Sequence, residues 1–208
     1  MKMLAILVTV AALAVFMIAK VRRFLSVMVP PPRIHLAPIN ATGAHARNLQ
    51  RYTRELESRG FVRLDTYRVD PMHGVTLTAF THVGESLCAV VYTHRVAGTF
   101  IDIVSKNEAG RSFTVTTAPA GKELDQPEGH EKVFDPHMPV ERTIETALQR
   151  RPPAPYVTWY RESFARLFEE AYSKEMDWRA SRGGATLDEV RRHAVAMGGN
   201  ISEQNIQK

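Results

Sequence analysis

Five stretches in succession, Phe61–Arg68, Val75–His82, Ser86–His94, Thr99–Val104 and Arg111–Thr117, carry Val, Ile, Thr, Phe and Tyr at a period of two. That is the signature of strands and not of helices. Asp70-Pro71, Gly74, Gly84, Gly98, Asn107 with Gly110, and Pro119 with Gly121 break the runs. The connections are too short for a crossover, so neighbouring strands must pair antiparallel as a meander. Val62 and Leu64 alternate with Arg63 and Asp65, which gives that strand one wet face. Leu87 to Tyr92 is apolar without a break, the pattern of a strand covered on both sides. Cys88 lies inside that run and reads as a small core residue.

Helical periodicity flanks the strands. Leu49, Tyr52 and Leu56 make a buried stripe on a helix over Gly43–Arg59, with Thr42 as its cap and Gly60 as its stop. Arg47, Arg51 and Arg54 occupy its solvated side. After the strands, Val140, Ile144 and Leu148 recur at helical spacing until Pro152-Pro153. A longer helix covers Thr158–Arg182, with Tyr160, Phe164, Leu167, Ala171 and Trp178 on its apolar face. Glu162–Arg166, Glu170–Lys174 and Glu175–Arg179 are acid-before-base pairs along it. Thr186-Leu187-Asp188-Glu189 is a capping box opening a last helix, closed by Gly198-Gly199.

At the N-terminus, residues 3–19 hold no charge, and Thr9 is the one polar side chain. As a helix they span about 26 Å, just short of a bilayer core that Lys2 and Lys20 can complete by snorkelling. The run passes straight through the A-x-A-like site at Ala12-Leu13-Ala14, which favours an uncleaved anchor over a cleaved signal peptide. Lys20, Arg22, Arg23 and Arg33 follow the run, and the positive-inside bias puts the folded part in the cytoplasm. Pro30-Pro31-Pro32 opens a stiff spacer reaching to about residue 39.

The expected organisation is therefore an anchor with its interfacial extension over 1–29, a spacer over 30–39, a soluble domain over 40–199 and a loose tail over 200–208. The expected fold is α+β: one N-terminal transmembrane helix, then a helix, a roughly five-stranded antiparallel meander sheet and three C-terminal helices packed on one of its faces. The expected location is a membrane, crossed once, and the inner membrane if the cell is bacterial. Arginine's excess over lysine hints at such a source.

The net charge of +5 does not mark a nucleic-acid binder. Residues 1–33 carry five basic groups and no acid, so beyond them 22 basic residues meet 22 acidic ones. The concentrated basic face that phosphate backbones require is missing. A single cysteine excludes an internal disulfide framework and any multi-cysteine metal centre. There is no G-x-S-x-G elbow, no G-x-G-x-x-G and no G-x-x-x-x-G-K-[ST] loop, and no catalytic residue, metal or cofactor is expected.

Three sets of residues remain as candidates. Residues 118–139 read as one long loop, and such loops are often functional. It carries Asp125, Glu128, His130, Glu131, Asp135 and His137, side chains that bind ligands or metals when they converge and form a solvated acidic loop when they do not. Elsewhere Asp70, His73 and His94 can meet at strand ends, although edge-of-loop polarity explains them as well. The third set is a partner face of Trp159, Phe168, Tyr172 and Trp178, left over when the long helix has buried its core stripe.

The leading functional expectation is a membrane-anchored interaction or accessory module. It would be a subunit or assembly factor of a membrane-associated complex, held to the bilayer by residues 3–19 and bound to a protein partner there. The alternatives are a small-molecule or lipid-binding domain and a hydrolase working through the 125–137 His/Asp/Glu loop.

Overall fold

The computed structural model of this chain describes residues 30–40, 44–94, 97–119 and 121–196. Among them, seven strands form one sheet: β1 (His35–Pro38), β2 (Val62–Asp70), β3 (Val75–His82), β4 (Leu87–His94), β5 (Gly98–Lys106), β6 (Ser112–Thr116) and β7 (His130–Phe134). The strands lie side by side in chain order. Four helices accompany them: α1 (Ala44–Glu57), α2 (Val140–Arg150), α3 (Arg161–Ser181) and α4 (Leu187–Ala196).

The sheet corrects the expected fold in three ways. It has two strands more than the five period-two runs, one added at each edge. β1 lies in the proline-rich stretch that reads as a spacer; its backbone is extended, as those prolines require, but it pairs antiparallel with β2. Pro38 sits on the outermost strand, where a missing N–H costs no ladder bond. β7 lies inside the stretch that reads as a loop, and it pairs parallel with β6, so the sheet is mixed and not purely antiparallel. Its sequence, His-Glu-Lys-Val-Phe, is too polar to show a period of two. The residues between Thr116 and His130 supply the long connection that a parallel pair needs.

The third correction concerns the layers. Helices cover both faces of the sheet. On one face Leu49 and Leu56 of α1 and Val140, Ile144 and Ala147 of α2 pack on Phe80, Leu87, Ile101, Ile103, Phe113 and Val115. On the other, Trp159 and Phe164 at the start of α3 pack on Leu36, Tyr67, Val69, Leu77, Cys88 and Val90. β4 sits between the two cores, and Leu87 to Val91 are all buried. Burial also raises the Cys88 thiol's pKa, which leaves it an inert core group.

Local chemistry places the ends. Gly60 turns the chain from α1 into β2 at φ +83°, and a side chain there would meet the His82 ring at 3.0 Å. At α4 the Glu189 amide donates to Thr186 Oγ1 at 3.2 Å and the Thr186 amide donates to Glu189 Oε2 at 2.6 Å, a closed capping box.

Among the described residues no helix is long and apolar enough to cross a membrane. The single-pass, signal-anchored reading, and the inner-membrane location that followed from it, are corrected on that finding. Residues 1–29, with the apolar run 3–19 on which that reading stood, lie outside the described residues, as does the tail from 200 to 208.

Candidate functional site

Pairing register sets the site, because residues opposite one another share a face of a sheet. On the face under α3, Phe100, Asp102, Val104 and Lys106 of β5 project alongside Thr116, Thr114 and Ser112 of β6. Those in turn stand opposite Phe134, Lys132 and His130 of β7. The half of this face made by β1 to β4 is apolar. The half made by β5 to β7 is crowded with charge and hydroxyls, and the C-terminal half of α3 brings Glu175 and Arg179 to it.

Between this polar half and α3 lies a cavity of about 150 Å³. Asp102, Thr116, Lys132, Glu175 and Arg179 supply its polar wall, and Phe100 and Phe134 its apolar one. Gly121, Leu124 and Gln126 of the β6–β7 connection close one side. A second, shallower groove of about 430 Å³ runs between Ile34 and α3. Its charges are largely matched, with Arg33 on Asp177 at 2.8 Å and Arg166 on Glu170 at 2.8 Å.

Asp102 is the anomaly in the cavity. Its Oδ1 is buried and has no hydrogen-bond partner within 3.5 Å among the described residues. Burial pushes the carboxyl above the usual carboxylate range. The positive charge of Lys132 and the nearby hydroxyls of Thr116 and Tyr92 pull it back in part, and Glu175 pushes it up further. Glu175 itself is taken by Arg179, at 2.9 Å. Lys132 has no carboxylate within 4.0 Å among the described residues, and its ammonium lies 5.7 Å from the centre of the Phe134 ring. Beside the Glu175–Arg179 pair, the wall therefore holds Asp102 and Lys132, an acid and a base that feel each other without touching.

The loop side of the cavity is clamped by charge. Asp125 accepts from Arg182 at 2.8 Å and from Arg192 at 2.6 Å, and these two arginines hold its carboxyl below the usual range. The Asp125 amide donates to Glu189 Oε1 at 2.8 Å. Glu189 is only 1 % exposed, and the backbone N–H groups of Thr186 and Asp125 outweigh the desolvation that would otherwise raise its pKa.

The structure scatters the candidates of the 118–139 stretch. Asp125 is the clamp just described. Glu128 is exposed. His130 and Glu131 lie on β7, where His130 Nδ1 meets Ser112 Oγ at 2.7 Å and Glu131 reaches Arg150 at 3.4 Å. Asp135 Oδ1 accepts the His137 amide at 3.0 Å, a local turn. Among the described residues no three His, Cys, Asp or Glu side chains are grouped as metal ligands would be. Asp70 is held by Arg68 at 2.8 Å, His73 lies on the Pro71 carbonyl and His94 accepts the Ala97 amide.

The aromatic set divides as well. Trp159 is 4 % exposed and belongs to the core beside Phe164. Phe168 and Tyr172 pack against the same core, and Trp178 lies under the guanidinium of Arg182 at 4.5 Å.

Asp102, Lys132, Thr116 and Glu175, which carry the cavity, stand in none of the sequence candidates. One signal was available: Asp102 and Lys106 are the two charges of β5 and lie on the same face of it. Compared with known proteins, the chain matches no family model, no curated protein and no solved structure.

Proposed function

We propose that this chain is a small-molecule-binding domain whose site is the cavity between α3 and strands β5 to β7. The observation that carries the reading is Asp102, a carboxyl held with one oxygen sealed and unpartnered in the wall of that cavity. Leaving such a group unsatisfied costs about 1–3 kcal/mol, and of the buried unpartnered side-chain atoms among the described residues Asp102 Oδ1 is the one on a residue lining the cavity. Its neighbours define the chemistry. A donor such as an ammonium fits beside Asp102, an acceptor fits beside Lys132, and Phe100 and Phe134 line the space between.

Size favours a small ligand over a lipid. A cavity of about 150 Å³ has room for a benzene-sized molecule and not for an acyl chain. The clamp of Arg182, Arg192 and Glu189 on Asp125 supports the reading too, because a preorganised wall lowers the entropic cost of binding.

A thermal-shift titration of the full chain with ethanolamine, and with ethylene glycol as its uncharged counterpart, tests this. Saturable stabilisation by the amine alone, lost in Asp102→Asn, is the expected result. Equal response to both compounds, or an undiminished response in Asp102→Asn, would sink the reading.

A further inference from the structure

Next to the cavity, three lysines gather with no carboxylate in direct ion-pair contact among the described residues, although Asp102 acts on Lys132 and Glu170 on Lys106 from further away. Register places Lys106 opposite Ser112 and Ser112 opposite His130. One step along the same face, Thr114 stands opposite Lys132. Strands lie about 4.8 Å apart and same-face residues about 7 Å apart, so these side chains converge on one patch. α3 adds Lys174, whose charge is felt by both Lys106 and His130.

The acids within reach are engaged elsewhere. Glu170 pairs with Arg166 at 2.8 Å and not with Lys174, and Glu175 pairs with Arg179 at 2.9 Å. Among the described residues Lys106, Lys132 and Lys174 have no ion pair within 4.0 Å. The mutual repulsion acts on the proton affinities of these groups. Lys106 is lowered by burial and then by Lys174, with Glu170 opposing. His130 is lowered by burial and then by Lys106, with Lys132 and Lys174 adding to it and Glu175 opposing.

We propose that this strip is a phosphate-binding subsite, in which Lys106, Lys132, Ser112 and His130 hold the phosphoryl group of the small molecule whose other end fills the cavity. The ligand class rests on the cavity reading; the subsite itself does not. A carboxylate carries a single charge and would leave most of the lysine repulsion standing. A phosphate monoester carries roughly −1.5 to −2 and three acceptor oxygens, which matches two ammonium groups, an imidazolium and a hydroxyl. The Ser112–His130 bond at 2.7 Å completes the arrangement. With an anion bound, His130 takes a proton, its Nδ1–H donates to Ser112 Oγ, and the Ser112 hydroxyl hydrogen turns to the phosphate.

Titration of the full chain with inorganic phosphate, against sodium chloride at equal ionic strength, tests the subsite through the imidazole resonances of His130. Saturable binding with an upward shift of the His130 pKa is expected. The double variant Lys106→Met/Lys132→Met should bind at least about tenfold more weakly. It removes repulsion and so should fold at least as well, which an unfolding curve will verify. No saturation beyond the chloride control, or undiminished binding in the double variant, overturns the proposal. Asp102→Asn separates the two readings, since it should lose ethanolamine and keep inorganic phosphate. Ethanolamine binding without phosphate binding removes the subsite and leaves the cavity. Phosphate binding without ethanolamine binding retains the subsite and removes the cavity.

Discussion

One face of one sheet is built in two ways. Beneath the N-terminal half of α3, strands β1 to β4 present Leu36, Tyr67, Val69, Leu77, Cys88 and Val90, and Phe164 closes over them without exposure. Beneath its C-terminal half, strands β5 to β7 present Asp102, Lys106, Ser112, Thr114, Thr116, His130 and Lys132. The same helix covers both halves. The first half is packed mainly by apolar burial, although Thr81 Oγ1 and Trp159 Nε1 are buried there without a hydrogen-bond partner among the described residues. The second carries a carboxyl with one buried, unpartnered oxygen and three lysines without an ion-pair contact among the described residues, features that cost stability.

Removing the anchor of the apolar half should have the largest effect. Phe164 stacks with Tyr67 at 5.7 Å and tilts against Phe168 at 5.6 Å. Phe164→Ala should cost about 3–5 kcal/mol, read as a fall in the urea midpoint at constant slope. A cost below about 1 kcal/mol would mean that this half is not packed as a core. Next comes the clamp beside the polar half. Glu189→Ala removes a buried acceptor of two amides and should cost roughly 2 kcal/mol, with faster hydrogen exchange at the amides of Asp125 and Thr186.

Asp102→Asn should act in the opposite direction, stabilising the protein by about 1 kcal/mol at neutral pH. The sign follows from linkage. The folded-state pKa of Asp102 lies above its unfolded value, so its contribution to stability is fully present below about pH 3.9 and is lost as pH rises through the raised value. The difference in unfolding midpoint between variant and wild type should therefore grow with pH over that window. A constant difference would place Asp102 in water and blur the contrast between the halves. The smallest effect is electrostatic. Lys106→Met should change stability by less than about 0.5 kcal/mol and raise the His130 pKa toward its ordinary value, without reaching it, because burial still opposes the charge. An unmoved His130 titration would separate Lys106 from the polar strip.

Much of the fold could be read from residue pattern. β3 coincides with its period-two run, and β2, β4, β5 and β6 differ from theirs by one or two residues at the ends. The capping box at Thr186 forms as its spacing requires. The unbroken run Leu87 to Tyr92 already demanded cover on both faces of the sheet, a demand that helices on a single face cannot meet. The edge strands were hidden for a physical reason. An edge strand buries little and tolerates Pro38, Glu131 and Lys132, so it shows neither the alternation nor the apolar content of a central strand.

The site was harder to see for a related reason. Asp125, Glu131 and Asp135 form a conspicuous group in sequence, but arginines and local amides take them up one by one. Asp102 and Lys132 are 30 positions apart, each a lone charge in a different segment. Glu175 is a further 43 away, on a helix.

Sequence alone determined where the central strands and the helices lie, because side-chain periodicity, turn glycines and caps are properties of neighbouring residues. Only the tertiary structure decided that β7 joins the sheet beside β6, that α3 crosses the opposite face from α1 and α2, and that Asp102 meets Lys132 across a cavity. Those are long-range pairings. Their energy comes from surfaces brought together by the fold, and no local pattern encodes which distant segment will supply the other surface.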